Sequence, residues 1–162
     1  MKQTSDGLFQ HPGLRSFLIK ARLPLFIVVL VLVAPFVKRE WLLAGFIVSM
    51  FGLFIQTWCF ASLDKNTTLT IRGPYTMVRN PMYLGRFFIL LGFLMLLGNG
   101  WLILAYTLFY WGYMQARVQR EEAHLRPIFG ASYDDYCATV RRFVPGWPVA
   151  GKPVAFWDWR LF

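Results

Sequence analysis

The chain has 162 residues, of which 57% are hydrophobic, 19% are aromatic and only 15% are charged. This composition is unlike that of a soluble domain and indicates a membrane protein. The net charge of +9 comes from basic residues that stand beside apolar runs, which disfavours both a disordered basic tail and a nucleic-acid-binding protein.

Apolar runs in the first two thirds of the chain predict four membrane-spanning helices. The first run covers residues 23–37 and follows a mixed polar segment. The second, residues 41–63, carries no charge and is long enough for a hydrocarbon core of roughly 30 Å. The uncharged stretch 87–116 is too long for one span, and the turn signal Gly98-Asn99-Gly100 divides it into two helices.

Two further helices are expected after the fourth span. The helical pattern continues through residues 117–126, and Pro127 is expected to end it. Ser132 is then a candidate N-cap for an amphipathic helix, which would lie on the membrane surface or cover the bundle. Its apolar residues recur at helical spacing and are Tyr133, Tyr136, Cys137, Val140 and Val144. Tryptophans in the tail, residues 146–162, indicate anchoring at the level of the lipid headgroups.

The distribution of lysine and arginine predicts the orientation of the spans. With the N-terminus inside, fourteen basic residues lie on the inner side and only Lys38 and Arg39 lie on the outer side. Arg86 is left within a helix. Because basic loops stay in the cytoplasm, both termini are expected to be cytoplasmic.

The densest polar motifs fall on this inner side, in the loop 64–80 and on the helix that leaves the fourth span. Asn80 and Pro81 have the residue types of an N-cap and a first helical position, so a helix is expected to begin there with free N–H groups. With Arg72 and Arg79 beside it, this helix start is a candidate site for a carboxylate or phosphate. The alternative is a capped membrane helix flanked by ordinary positive-inside arginines.

Three more charged residues are candidates for function. Arg86 shares a helix face with Tyr83 and Arg79, and an arginine inside a span is costly unless it is paired or reaches the interface. Glu121 and Glu122 project about 100° apart on a helix, so one is expected to face inward. Surface ion pairs with nearby arginines are the alternative for the glutamates. A pocket that combines these acids with the helix start would suit a zwitterionic ligand.

No metal site is expected. His124 has no second histidine nearby, and Cys59 and Cys137 are far apart in different kinds of segment. The two cysteines are therefore expected to be free thiols.

Two strings, RGPYTMVRNPMYLG and REEAHLRPIFGASYDDYCATVRRFVP, with a hydrophobic hairpin between them, resemble the isoprenylcysteine carboxyl methyltransferase and phospholipid methyltransferase group of membrane enzymes. The resemblance covers about residues 41–145. It implies an all-α transmembrane bundle that binds S-adenosylmethionine at the cytoplasmic membrane edge and methylates a lipid or lipidated acceptor. The cofactor-binding residues that it implies are Tyr75, Arg79, Asn80, Pro81, Tyr83, Glu121, Glu122, Tyr133 and Tyr136.

The resemblance leaves the methyl acceptor open. Many members of the group have histidine where Asn80 stands, and asparagine cannot titrate. The NPMY string favours an aminophospholipid, whereas the flanking RGPY and FGASYDDY strings resemble the isoprenylcysteine branch. The candidate catalytic residues are Glu121 and Glu122, which could receive the proton that an ammonium headgroup must lose before methylation, and Arg86, a charged residue within a span. A nicotinamide-dependent membrane sterol reductase and a non-catalytic accessory protein are the alternatives.

We therefore expect a single integral-membrane domain, 1–162, in a bacterial inner membrane rather than the endoplasmic reticulum. Its expected parts are a cytoplasmic segment 1–22, a bundle 23–116 with a cofactor loop 64–80, cytoplasmic helices 117–145 and a tail 146–162. The expected partners are the lipid bilayer and a lipid or lipidated substrate.

Overall fold

The computed structural model describes residues 12–63 and 69–154, and every regular element in these ranges is helical, as predicted. The α-helices are α1 (Pro12–Val33), α2 (Leu42–Ser62), α3 (Pro81–Met95), α4 (Gly100–Phe129) and α5 (Ala131–Thr139). Short 3-10 turns occupy Ala34–Phe36, Arg39–Trp41 and Gly73–Thr76. Part of the predicted cofactor loop and the tail tryptophans Trp157 and Trp159 lie outside the described residues.

The chain divides into two compact units, Met1–Val37 and Lys38–Phe162. In the first unit, α1 begins at Pro12, within the segment predicted to be polar and cytoplasmic, and continues through Pro24. Proline is favoured in a first helical turn, where its missing N–H would have no partner. The helix therefore starts well before the apolar run that begins at residue 23. Organisation of the whole chain as one domain stays a prediction.

In the second unit, α2 and α3 pack closely along small residues. A side-chain carbon added at Gly52 of α2 would lie 2.5 Å from the backbone nitrogen of Ile89 and 2.7 Å from the carbonyl oxygen of Gly85. One added at Gly45 would lie 2.6 Å from the carbonyl oxygen of Gly92. Since no larger side chain fits, these glycines allow backbone-to-backbone contact between the two helices.

The predicted hairpin between α3 and α4 is confirmed. Gly98 adopts a φ of 56°, a left-handed conformation that favours glycine. The side-chain oxygen of Asn99 then caps α4 by accepting hydrogen bonds from the N–H groups of Trp101, at 3.1 Å, and Leu102, at 3.2 Å. Further along, the Tyr110 hydroxyl donates to the carbonyl of Tyr83, at 2.8 Å, and joins α4 to the first turn of α3.

The boundaries predicted after residue 126 are wrong. Helix α4 passes through Pro127 and ends at Phe129, because a proline in the last turn removes only one backbone donor. Gly130, with a φ of 53°, makes the turn between α4 and α5, so Ser132 is an internal residue of α5 and not its N-cap. Helix α5 ends at Thr139, which leaves Val144 outside it and 60% exposed.

The apolar face of α5 packs against protein. Tyr133, Tyr136 and Val140 form a buried cluster to which side chains from the loop before the Gly73–Thr76 turn and from α4 are added. Two roles are predicted for α5, lying on the membrane surface or covering the bundle. The structure shows contacts of the second kind, because α5 covers the neighbouring helix and loop.

The residues after α5, 140–154, run back along the segment that leads into α3, and we call them the return segment. Four backbone hydrogen bonds of 2.8 to 3.2 Å join the two. Their donor and acceptor pairs are Arg79 N–H to Arg141, Gly146 N–H to Met77, Val149 N–H to Thr76 and Gly73 N–H to Pro153. The return segment thus fixes the position of the residues just before α3.

The described residues contain one stretch that is both long and apolar enough to cross a membrane, Arg39–Ser62, with 24 residues and a mean hydropathy of 1.8. Two other apolar helical stretches, Ala21–Phe36 and Pro81–Met95, are shorter. The all-helical class is confirmed, and the count of four spans stays a prediction.

Candidate functional site

Helix α3 begins where the sequence predicts, with Asn80 before it and Pro81 as its first residue. The Asn80 side chain does not cap the helix, however. Its amide nitrogen donates instead to the carbonyl of Arg142 in the return segment, at 3.3 Å. Asn80 therefore ties the helix start to the return segment, and its side chain makes no hydrogen bond to the first turn of α3, where the N–H of Tyr83 donates to the backbone carbonyl of Asn80 at 3.3 Å.

Arg79, Glu122 and Arg142 form an ion cluster beside this helix start, with Glu122 as its buried member. The Glu122 carboxylate receives two hydrogen bonds from Arg142, at 3.1 and 2.6 Å, and lies 3.4 Å from a guanidinium nitrogen of Arg79. The side chains of Arg79 and Glu122 are only 12% and 10% exposed. The alternative reading, an ordinary surface ion pair on the same helix, does not hold for Glu122: the nearby Arg126 pairs with Asp134 at 3.2 Å.

Glu121 has different surroundings from its neighbour. It is exposed and accepts a hydrogen bond from the Tyr83 hydroxyl at 2.7 Å. The prediction that the two glutamates face different environments is confirmed, with Glu122 as the buried one. Arg86, the remaining predicted catalytic residue, is exposed and lies with its guanidinium carbon 5.7 Å from the centre of the Tyr83 ring.

Three buried tyrosines come together around the loop and α5. The Tyr136 hydroxyl donates to the carbonyl of Tyr75 at 2.8 Å, and the rings of Tyr133 and Tyr136 are 6.2 Å apart. Burial raises the pKa of all three tyrosines above the ordinary value, and the Glu122 carboxylate raises the pKa of Tyr133 further. They are therefore neutral hydroxyl groups at physiological pH.

These residues surround one cavity of about 430 Å³, a size typical of small-molecule and cofactor sites. All the residues predicted to bind the cofactor line it, namely Tyr75, Arg79, Asn80, Pro81, Tyr83, Glu121, Glu122, Tyr133 and Tyr136. The cavity thus combines residues from the loop, α3, α4 and α5. Arg86 is not among the lining residues. Arg72 is not among them either, and its Nε donates to the carbonyl of Ser62 at 2.9 Å.

Sequence reasoning missed part of this site. Lining residues that it did not assign are mostly apolar, namely Leu63, Leu69, Thr70, Met82, His124, Leu125, Ile128 and Phe129. It also assigned no role to Arg142, which lies beyond α5 and contacts Glu122. The RRFVP string alone contains no signal for that contact, because the contact depends on where the return segment runs.

The residues that the structure describes contain no group of three or more histidine, cysteine or acidic side chains placed to hold a metal ion. His124 lies exposed at the edge of the cavity. Cys59 is buried and Cys137 is half-buried, and both are free thiols, as predicted.

Comparison with known proteins agrees with the geometry. The sequence model of the phospholipid methyltransferase family matches residues 41–132, more than half of the chain. The matched range includes the start of α3 and both cavity glutamates.

Curated relatives carry related names. The protein-S-isoprenylcysteine O-methyltransferase of Schizosaccharomyces pombe is 39% identical over 82 residues, which cover 51% of this chain and 35% of that protein. The Tribolium castaneum protein of the same name is 35% identical over 108 residues, covering 67% of this chain and 36% of its own length. A probable protein-S-isoprenylcysteine O-methyltransferase of Oryza sativa subsp. indica is 27% identical over 128 residues, covering 70% and 67%.

The chain therefore spans about a third of the length of the Schizosaccharomyces pombe and Tribolium castaneum relatives. The match of the family model over more than half of the chain, together with a cavity built from the motifs inside that match, assigns the family. This chain belongs to the phospholipid methyltransferase family.

Proposed function

We propose that the chain is a methyltransferase that uses S-adenosylmethionine and acts on a lipid or lipidated acceptor at the cytoplasmic face of a membrane. The proposal rests on the cavity, because one space of about 430 Å³ is bordered by the start of α3 and by the two adjacent glutamates of α4. Family membership and the names of the relatives support the same reaction class.

Arg79 fits the carboxylate of the cofactor. Its side chain is 12% exposed and lines the cavity, and its buried Nε–H group has no hydrogen-bond partner among the described residues. A buried donor without a partner costs about 1–3 kcal/mol, which a ligand carboxylate would recover. The adjacent N-terminus of α3 favours a negative group at the same place.

Glu121 fits the ammonium group of the cofactor. It lines the cavity and, among the described residues, accepts a single side-chain hydrogen bond, from the Tyr83 hydroxyl, so most of its lone pairs are open to a ligand. Glu122 is already paired with two arginines. We therefore assign the ammonium to Glu121 and give Glu122 the task of holding Arg79.

The aromatic and apolar lining suits the rest of the molecule. When bound, S-adenosylmethionine supplies a methyl group on a positively charged sulfur. The neutral rings of Tyr75, Tyr133 and Tyr136 can contact a sulfonium by cation–π attraction or an adenine by stacking. The apolar side chains of Leu125 and Phe129 keep water away from the aligned reactants.

The protein's acid–base task depends on the acceptor. A carboxylate acceptor needs no base, whereas an ammonium headgroup must lose a proton first. Glu121 and His124 both line the cavity and can receive that proton directly or through water. Arg86 lies outside the lining, so the proposal gives it no part in methyl transfer.

We place this site at the cytoplasmic edge of a four-span bundle. Large apolar side chains on α2 and α4 are exposed, among them Leu43 at 71% and Phe109 at 77%. Such surfaces are unfavourable in water and favourable in lipid. The positive-inside distribution supports a position of the cavity on the cytoplasmic side, where the cofactor is dissolved. Ile128, which lines the cavity and is 58% exposed, lies where an acyl or prenyl chain could enter.

Methyl transfer by the purified full chain tests the proposal. The protein in lipid nanodiscs is incubated with S-adenosylmethionine labelled in the methyl group, together with either phosphatidylethanolamine or an S-prenylated cysteine that has a free carboxylate. Label that mild base releases as methanol is an ester and identifies the carboxylate acceptor, whereas base-stable label in the lipid identifies the amine.

The matched controls are Arg79→Ala and Arg120→Ala, which remove the same charge. Arg120 is exposed on α4 and does not line the cavity. We expect transfer to be lost in Arg79→Ala and kept in Arg120→Ala. A wild-type protein that neither binds nor consumes S-adenosylmethionine would overturn the proposal, and saturable binding of NADPH would point to a reductase instead.

A further inference from the structure

Arg142 connects parts of the site that lie far apart in sequence. Its guanidinium makes two hydrogen bonds to Glu122 of α4, at 3.1 and 2.6 Å, and its backbone carbonyl accepts from the Asn80 side chain at 3.3 Å. The preceding carbonyl, of Arg141, accepts from the backbone N–H of Arg79 at 2.9 Å. Arg142 and its neighbour Arg141 thus link Glu122, on the α4 side of the cavity, to Asn80 and Arg79, which precede α3.

Arg142 itself is not among the residues that line the cavity. It can therefore affect a ligand only through Glu122, Asn80 or Arg79. Its closest polar contact is with Glu122, which is also the partner of Arg79. Two hydrogen bonds from a planar guanidinium fix a carboxylate in both distance and orientation, which a single contact does not.

The charges explain why a second arginine is needed. The cluster contains two guanidinium groups and one carboxylate, so it retains a net positive charge next to the helix start. If Arg79 were the only cation, Glu122 would neutralise it and compete with a ligand carboxylate for its N–H groups. Since Arg142 makes the shorter contacts, Glu122 leaves Arg79 at 3.4 Å with an unpartnered Nε–H.

We infer that Arg142 is a positioning residue of the cavity: by holding Glu122 through two hydrogen bonds, it keeps Arg79 available for the carboxylate of the bound cofactor. This inference rests on the proposed function, because it takes the ligand to be S-adenosylmethionine. It assigns to the return segment a role in ligand affinity in addition to its role in supporting the loop.

The test measures the dissociation constant of S-adenosylmethionine and the kinetic constants for Arg142→Ala, Arg142→Lys and the neighbouring control Arg141→Ala. Arg141 is exposed, and its backbone contact with Arg79 survives the substitution. We expect Arg142→Ala to raise the dissociation constant and the KM for the cofactor about tenfold or more, with the KM for the acceptor unchanged. Arg142→Lys should recover part of the loss, and Arg141→Ala should stay within about twofold of wild type.

A double variant separates positioning from mere support of the fold. In a Glu122→Gln background the acid that Arg142 holds is neutral, so adding Arg142→Ala should change cofactor affinity by less than about twofold. The same variants are checked for an unchanged elution volume in detergent and for a melting temperature that stays above the temperature of the binding assay.

The outcomes are distinguishable from a failure of the proposed function. If wild type does not bind S-adenosylmethionine, both the proposed function and this inference fail. If wild type binds but Arg142→Ala behaves like Arg141→Ala, or loses the same factor in the Glu122→Gln background, only the inference is overturned. A variant that loses affinity together with its fold, and that Arg142→Lys does not rescue, also counts against positioning.

Discussion

At the scale of single residues, the site depends on two adjacent acids that the fold treats differently. A rotation of about 100° per residue directs Glu122 into the ion cluster with Arg79 and Arg142 and leaves Glu121 exposed beside the Tyr83 hydroxyl. Adjacent glutamates in a sequence therefore have separate tasks, one structural and one directed at the ligand.

This division predicts that two isosteric substitutions affect different properties: Glu122→Gln mainly lowers stability, and Glu121→Gln mainly weakens ligand binding. Glu122→Gln leaves two arginines without their carboxylate and should lower the free energy of unfolding by about 2–3 kcal/mol. This cost is smaller than for a fully buried ion pair, because the Arg142 side chain is 37% exposed and its charge is partly screened by solvent. Glu121→Gln keeps an acceptor for Tyr83 and should change stability by less than about 0.5 kcal/mol, yet weaken S-adenosylmethionine binding about tenfold.

Chemical unfolding in detergent and equilibrium binding measure the two effects on the same preparations. If Glu121→Gln proved the more destabilising variant while Glu122→Gln retained its fold and lost only affinity, the assignment of the two acids would have to be reversed.

At the scale of helices, glycines decide how closely α2 and α3 approach. We predict that Gly52→Ala lowers the free energy of unfolding by about 1–3 kcal/mol, because its new side-chain carbon would meet backbone atoms of α3 at 2.5 and 2.7 Å. It should also weaken cofactor binding, since α3 begins at the cavity.

Gly112→Ala on α4 is the matched control for this prediction. A side-chain carbon there meets nothing within 4 Å, so this variant should be neutral or slightly more stable, by up to about 1 kcal/mol. Melting temperatures of the two variants in the same detergent provide the comparison. Equal stability for both would show that the close packing of α2 on α3 does not matter for the fold.

The helices themselves could largely be predicted from the sequence, because apolar runs and turn residues are local signals. Such signals mark the hairpin at Gly98-Asn99 and the start of α3 at Pro81. The small residues of α2 and α3 are a local signal too, since they recur at helical spacing where the two helices pack. The end of α4 does not, since Pro127 is tolerated in a last turn when Gly130 can take the positive φ that ends the helix.

The candidate site was predictable where its motifs are local and unpredictable where contacts join distant segments. Asn80, Pro81 and the glutamate pair stand in recognisable strings that predict one pocket, and all four residues line the cavity. The return segment has no helical or strand periodicity and is held by backbone hydrogen bonds, which any residue except proline can donate. The role of Arg142 therefore had no signal in the sequence.

At the scale of the whole molecule, a cytoplasmic cavity on a four-span bundle requires the hairpin and the cavity to lie on opposite sides of the bilayer. We predict that, in a variant without the native cysteines, Trp101→Cys is labelled by a membrane-impermeant maleimide applied to intact cells. Trp101 is 80% exposed next to the α3–α4 turn. Arg120→Cys, one residue before Glu121, should react only after the membrane is opened. Labelling of both positions from one side would rule out the proposed arrangement of spans.

The central claim is that Arg79 and the start of α3 bind the carboxylate of a zwitterionic cofactor. It is tested most directly by comparing the affinities of S-adenosylmethionine and its decarboxylated analogue for wild type, Arg79→Ala and the control Arg120→Ala. We predict that wild type and Arg120→Ala bind S-adenosylmethionine about tenfold or more tightly than the analogue, and that Arg79→Ala binds both ligands with similar, weak affinity. Equal affinities of wild type for the two ligands, or full discrimination retained by Arg79→Ala, would contradict the claim.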